Sequence, residues 1–184
     1  MKTPLSVENA AIKEFYERRT KFWNSVSNEE KRVVGMIDQL MAEIPTSISQ
    51  MTGPEPILDQ ETKLSVLLDT LGEFMAKSET EFLAVKDFLE EKYAEEFMPT
   101  KTALELERGK ILKAEIETRI ERKYREEKWL MRLLEERYKI YKAKYFSGDR
   151  LLDAIKNRII HLRRSEQQAN VQARISSQSR YGSQ

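Results

Sequence analysis

Hydrophobic side chains recur at intervals of three and four residues along most of this chain, a spacing that places them on one face of an α-helix. The pattern therefore predicts an all-α fold. Ser27 and Glu30 have the spacing of a capping box and start a second helix, which Pro45 is expected to end. We interpret residues 1–44 as an N-terminal helical pair. Residues 45–58 hold three of the five prolines and are interpreted as a linker.

Two long helices are predicted next, with only a short interruption between them. The third helix begins after Asp59 and ends at Pro99. Thr102 and Glu105 then form a second capping box, which starts a fourth helix over residues 103–146. Because so short a connection reverses the chain between neighbouring helices, the sequence predicts an elongated, coiled-coil-like antiparallel hairpin.

The serine-glycine-aspartate sequence at 147–149 indicates the end of the fourth helix and the cap of a fifth, over residues 150–168. Residues 59–168 thus form the predicted domain of the long hairpin and the C-terminal helix. The remaining residues, 169–184, are polar and lack a hydrophobic stripe, so a disordered, mobile tail is expected.

The fourth helix carries two hydrophobic rows. One face suffices to pack against the third helix. The second, narrower row has no partner in that hairpin, so it needs either the N-terminal helices or another chain. We expect protein contacts through five residues of this second row: Leu104, Ile111, Trp129, Leu133 and Ile140.

Composition narrows the class of protein. The chain has 184 residues, of which 34% are charged, and it contains no cysteine. Disulfides and thiolate metal sites are therefore excluded, and the sequence has no run of about 18–20 apolar residues that could span a membrane. We expect a soluble, intracellular protein of the cytoplasm or the nucleus.

Charge divides the chain into an acidic block and a basic block. Residues 55–98 hold 4 Lys and Arg against 12 Asp and Glu, whereas residues 101–184 hold 21 against 12. Opposite charges on consecutive helices can pair with each other, or the basic block can bind a polyanion. The sequence leaves both alternatives open, although pairing along the hairpin would neutralise much of the basic potential.

Candidate catalytic and metal-binding groups are few. The single histidine, His161, has no carboxylate three or four residues away, so a structural or solvent-facing role is expected. Gly109 and Lys110 lie in a helical pattern with no glycine-rich loop before them, which excludes a P-loop. We therefore predict a protein that is not an enzyme and that has no cofactor, no metal and no small-molecule substrate.

The leading functional hypothesis is a helical assembly or adaptor subunit that acts through coiled-coil-like protein contacts or self-association. The alternative is a nucleic-acid-binding accessory protein that uses the basic half, residues 101–184. Its candidate contacts to nucleic acid are Lys142, Lys144, Arg150, Lys156, Arg158, Arg163 and Arg164. A helical dimer resting on an anionic membrane is a third hypothesis, against which the acidic third helix argues.

Overall fold

The computed structural model describes residues 4–48, 50 and 54–181, and the regular structure in these residues is entirely helical. Five helices follow one another in them: α1 (Pro4–Ser25), α2 (Asn28–Ile48), α3 (Pro54–Arg108), α4 (Lys113–Lys123) and α5 (Arg125–Tyr181). The two long helices, α3 and α5, pack antiparallel, and the N-terminal helices are shorter. The predicted all-α fold with an antiparallel hairpin is therefore confirmed.

Contacts divide the chain into two compact units, and α3 and α5 each contribute to both. The first unit consists of Met1–Asn28 and Glu73–Lys142, so it contains α1, α4 and the adjoining parts of the long helices. The second unit consists of Glu29–Gly72 and Ala143–Gln184, and it contains α2. The two N-terminal helices, which the sequence groups as a pair, thus belong to different units.

A small hydrophobic cluster holds the end of the hairpin in the first unit. Leu104 of α3 is buried with Ile116 and Ile120 of α4. Four partly buried residues pack against these three: Tyr93, Phe97, Ile111 and Tyr124. Because most of these positions recur at intervals of four or seven, α3 and α4 each present one stripe to the other.

Three helices form the core of the second unit. Each contributes a stripe of buried aliphatic residues: Val33, Ile37 and Ile44 from α2, Ile57, Leu64, Leu68 and Leu71 from α3, and Leu152, Ile155 and Ile159 from α5. Burying one such side chain stabilises the fold by roughly 1.5–3 kcal/mol relative to leaving it exposed. These stripes therefore fix which faces of the three helices meet.

Two prolines lie inside helices, so the predicted helix ends at Pro45 and Pro99 are wrong. A proline in a helix interior costs about 3 kcal/mol because it removes a hydrogen bond and crowds the preceding turn. Burial of a hydrophobic side chain near each proline outweighs that cost. Ile44, beside Pro45, is 0% exposed, and Leu104, one turn beyond Pro99, is buried in the hairpin cluster.

The chain reverses at Gly109 instead of Pro99. Gly109 has a φ of +82°, a left-handed conformation that residues with a Cβ avoid, and its N–H donates to the carbonyl of Glu105 at 2.9 Å. The predicted capping box formed by Thr102 and Glu105 therefore lies inside α3. The sequence pattern predicts helix here because Leu104 and Ile111 continue the hydrophobic row across the turn.

Helix α5 runs without interruption through the predicted end at 147–149. Gly148 is buried there, and a Cβ placed on it would lie 2.6 Å from Cδ2 of Leu68. The glycine therefore permits a close approach between α5 and α3 and does not end the helix. Helix also continues through 169–181, the predicted mobile tail, where the side chains described as far as residue 175 are exposed.

The predicted linker at 45–58 differs from the structure in its bounds. Helix α2 extends to Ile48 and α3 begins at Pro54, so both ends of that segment are helical. Between these helices Gln50 lies in a turn, and residues 49 and 51–53 lie outside the described residues. No stretch of helix in the described part of the chain combines the length and the apolar character that crossing a membrane requires.

Candidate functional site

The five predicted protein-contact residues all lie in the first unit, where other parts of the chain cover most of their surface. Leu104 and Leu133 are each 6% exposed, and Ile111 packs against the cluster at the end of the hairpin. Ile140 and Trp129 are partly buried. The chain itself thus supplies much of the partner for this row, which was one of the two alternatives that the sequence left open.

Ring contacts and ion pairs attach α1 to α5. The rings of Phe15 and Trp129 have centroids 5.5 Å apart, and the Arg18 guanidinium lies 5.7 Å from the indole centroid. Arg18 also donates hydrogen bonds to Glu14 and Glu126, and its bond to Glu126 lowers the pKa of that carboxyl. Because exposed ion pairs contribute only about 0–1 kcal/mol each, the rings supply most of the attraction and the ion pairs fix the orientation.

A groove opens between α3 and the other arm of the hairpin, formed by α4 and the start of α5. This hairpin groove has a volume of about 650 Å³. Its apolar lining consists of Phe82, Leu89 and Tyr93 from α3, with Ile120, Tyr124 and Met131 from α4 and α5. Its charged lining consists of Lys86, Glu90, Glu121, Lys128 and Glu135. The apolar residues on each wall span twelve positions, which are eleven steps or about 16 Å of helix, so three turns of a partner helix match the groove in length.

The break between α4 and α5 lies beside this groove. Tyr124 occupies the break, with a φ of −107° and a ψ of 34°. Its ring packs edge-on against Phe88 of α3 at 6.2 Å, and its hydroxyl donates to Glu96 at 3.2 Å. The neighbouring Lys123 also donates to Glu96, and this bond lowers the pKa of the carboxyl. These contacts hold the break against α3.

A smaller cavity of about 260 Å³ follows a single stripe of α4 and α5. We call it the cationic cleft, and it is lined by Thr118, Glu121, Arg122, Arg125, Lys128, Trp129 and Arg132. These residues recur at intervals of three and four, so they lie along one helical face that crosses the break at Tyr124. The sequence carries this spacing, but it does not reveal the break that the stripe crosses.

The predicted nucleic-acid contacts lie further along α5. Lys142 donates a hydrogen bond to the Tyr138 hydroxyl at 3.1 Å, which raises the pKa of the lysine, and Lys144 pairs with Asp38 of α2. The other five have no ion pair within the described residues: Arg150, Lys156, Arg158, Arg163 and Arg164. At about 100° per residue these five side chains point in different directions around α5, so they do not form one stripe.

Among the described residues, no group of three or more His, Cys, Asp or Glu is placed to hold a metal ion. Comparisons with protein-family models, with curated proteins and with solved structures found no match to this chain.

Proposed function

We propose that this protein is a non-enzymatic helical assembly subunit, and that two copies associate through the hairpin groove of the first unit. The supporting observation is the groove's lining, in which six hydrophobic side chains surround an opening of about 650 Å³. Removing apolar surface from water contributes roughly 25 cal/mol per Å², so an open apolar groove favours association. The intracellular location expected from the sequence is part of this proposal.

The charges around the groove support a second copy as its occupant. Lys86 and Lys128 lie in the same lining as Glu90, Glu121 and Glu135. In a two-fold interface the same patch meets itself, so a lining of one sign would repel its copy. A lining that carries both signs can instead place each cation opposite a carboxylate of the other copy.

A row of side chains beside the groove has the form of a packing ridge. Leu83, Lys86 and Glu90 are spaced by three and four residues and therefore lie in line along α3. Leu83 is 43% exposed, although it is a large aliphatic residue. Since helices pack by placing the ridge of one into the groove of the other, we infer that Leu83 of one copy contacts the apolar lining near Leu89 of its partner.

The test is the mass in solution, measured by size-exclusion chromatography with light scattering at about 50 mM and about 500 mM NaCl. We expect twice the chain mass of 21.7 kDa at both salt concentrations, because an apolar contact does not weaken with screening. Leu83→Glu places a charge in the apolar contact and is expected to give the monomer.

Leu106→Glu is the matched control. Leu106 is 85% exposed near the end of α3 and does not line the groove, so this variant is expected to keep the wild-type mass. A wild-type monomer at both salt concentrations would contradict the proposal. So would a dimer that Leu83→Glu and Leu106→Glu weaken equally, because the contact would then lie outside the groove.

A further inference from the structure

Four cationic side chains line the cationic cleft, against a single carboxylate from Glu121. Two of the four are already paired, since Arg125 bonds Glu14 at 2.9 Å and Lys128 bonds Glu121. Arg122 and Arg132 have no carboxylate within 4.0 Å in the described part of the chain. The cleft therefore holds two guanidinium groups with capacity for an external anion.

An aromatic ring lies in the same cavity. Trp129 is partly buried, with Phe15 packed at 5.5 Å and the Arg132 guanidinium 5.7 Å from the indole centroid. The Arg18 guanidinium also lies 5.7 Å from the indole centroid, so Phe15, Arg18 and Arg132 all pack around the ring. The indole shares the lining of the cleft with the two unpaired guanidinium groups.

We propose that the cationic cleft binds single-stranded nucleic acid, with phosphates at Arg122 and Arg132 and a base against Trp129. Surfaces that bind single strands combine cationic side chains along the backbone with aromatic rings on which bases stack. A base in a duplex is stacked on its neighbours and would have to be unstacked and extruded before it could enter a cavity. From Arg122 to Arg132 the stripe covers about 15 Å of helix, so a short length of strand occupies it.

This binding does not depend on self-association through the hairpin groove. The cleft and the groove share Glu121 and Lys128, but Arg122, Trp129 and Arg132 line the cleft and not the groove. Substitutions at Arg122 and Arg132 therefore leave the groove lining unchanged, and a substitution at Leu83 leaves the cleft lining unchanged.

The test is the binding of a labelled oligothymidine, followed by fluorescence anisotropy at several salt concentrations. The double variant Arg122→Gln with Arg132→Gln removes both unpaired cations, and we expect about tenfold weaker binding at low salt. The slope of log K against log salt is expected to fall by about 1.4, since each single-strand phosphate contact contributes about 0.7. In a Trp23→Phe background, bound strand should also quench the emission of Trp129, which is then the only tryptophan.

The double variant Arg108→Gln with Lys110→Gln is the control, because it removes the same charge from exposed positions that line neither the cleft nor the groove. It is expected to bind like the wild type. Equal weakening by both double variants would show a diffuse charge effect and overturn the proposal. It would also be overturned by absence of binding at low salt, by a duplex that binds as tightly as the single strand, or by unchanged Trp129 emission.

Discussion

Arg137 of α5 joins three helices of the first unit. It is 7% exposed, it pairs with Glu81 of α3, and its guanidinium lies 5.6 Å from the ring centroid of Phe22 in α1. A buried cation depends on its counter-ion, because desolvation costs more than the cation can recover alone. Breaking its ion pair with Glu81 is therefore expected to cost more stability than breaking an exposed pair on these helices.

Glu81→Ala should lower the free energy of unfolding by about 2 kcal/mol. This value is below the 3–5 kcal/mol typical of a broken buried pair, because the Glu81 side chain is 40% exposed and water can replace it in part. Urea denaturation followed by circular dichroism measures the change. Asp59→Ala, which breaks the exposed pair with Lys63, is the control and should change stability by less than about 0.5 kcal/mol. Equal effects of the two variants would show that Arg137 does not need its partner.

The spacing of hydrophobic residues determines which segments form helices and which face of each helix is buried. The sequence predicts both for that reason. Val33, Ile37 and Ile44 are an example, since their spacing alone identifies the buried face of α2. Helix ends are different, because they depend on a balance between local cost and distant packing. The cost at Pro99 is visible in the sequence, whereas the burial of Leu104 beyond it is a property of the folded hairpin.

Two glycines inside helices should respond to alanine in opposite ways. Gly148→Ala forces a Cβ to within 2.6 Å of Leu68, whose side chain is buried and has little room to move, so we expect a loss of about 1–3 kcal/mol. At Gly35 no atom lies within 4 Å of the added Cβ, so Gly35→Ala should gain up to about 1 kcal/mol from helix propensity. Thermal unfolding of both variants measures the difference. A stabilising Gly148→Ala would contradict the close contact between α5 and α3.

Ion pairs between helices do not all join the acidic block to the basic block. Lys123–Glu96 and Arg137–Glu81 join the basic block to the acidic block, as the charge division suggested. Arg18–Glu126 runs the other way, from a cation of α1 to a carboxylate within the basic block. The net charge of each block can be counted from the sequence, but the count does not identify which cations lack a carboxylate partner in the fold.

The hairpin groove and the cationic cleft could be predicted only in part, because the sequence shows the spacing of their residues but not how the fold brings them together. The apolar residues of the hairpin groove recur at helical spacing in the sequence, and so do the arginines of the cationic cleft. Their position depends on the reversal at Gly109 and the break at Tyr124, which set the register between the arms of the hairpin. The second hydrophobic row shows the limit of such reasoning, because Trp129 packs against α1 while the first row leaves a groove open.

Self-association through the hairpin groove can be located by chemical labelling, because the chain contains no cysteine and a single introduced thiol reports on one position. We would measure the rate of maleimide labelling of Leu83→Cys and of Leu106→Cys as protein concentration is raised. Labelling of Leu83→Cys is expected to slow as copies associate, because the interface covers that position, while labelling of Leu106→Cys stays constant. Equal rates at all concentrations for both variants, or slowing at Leu106→Cys alone, would contradict self-association through the groove.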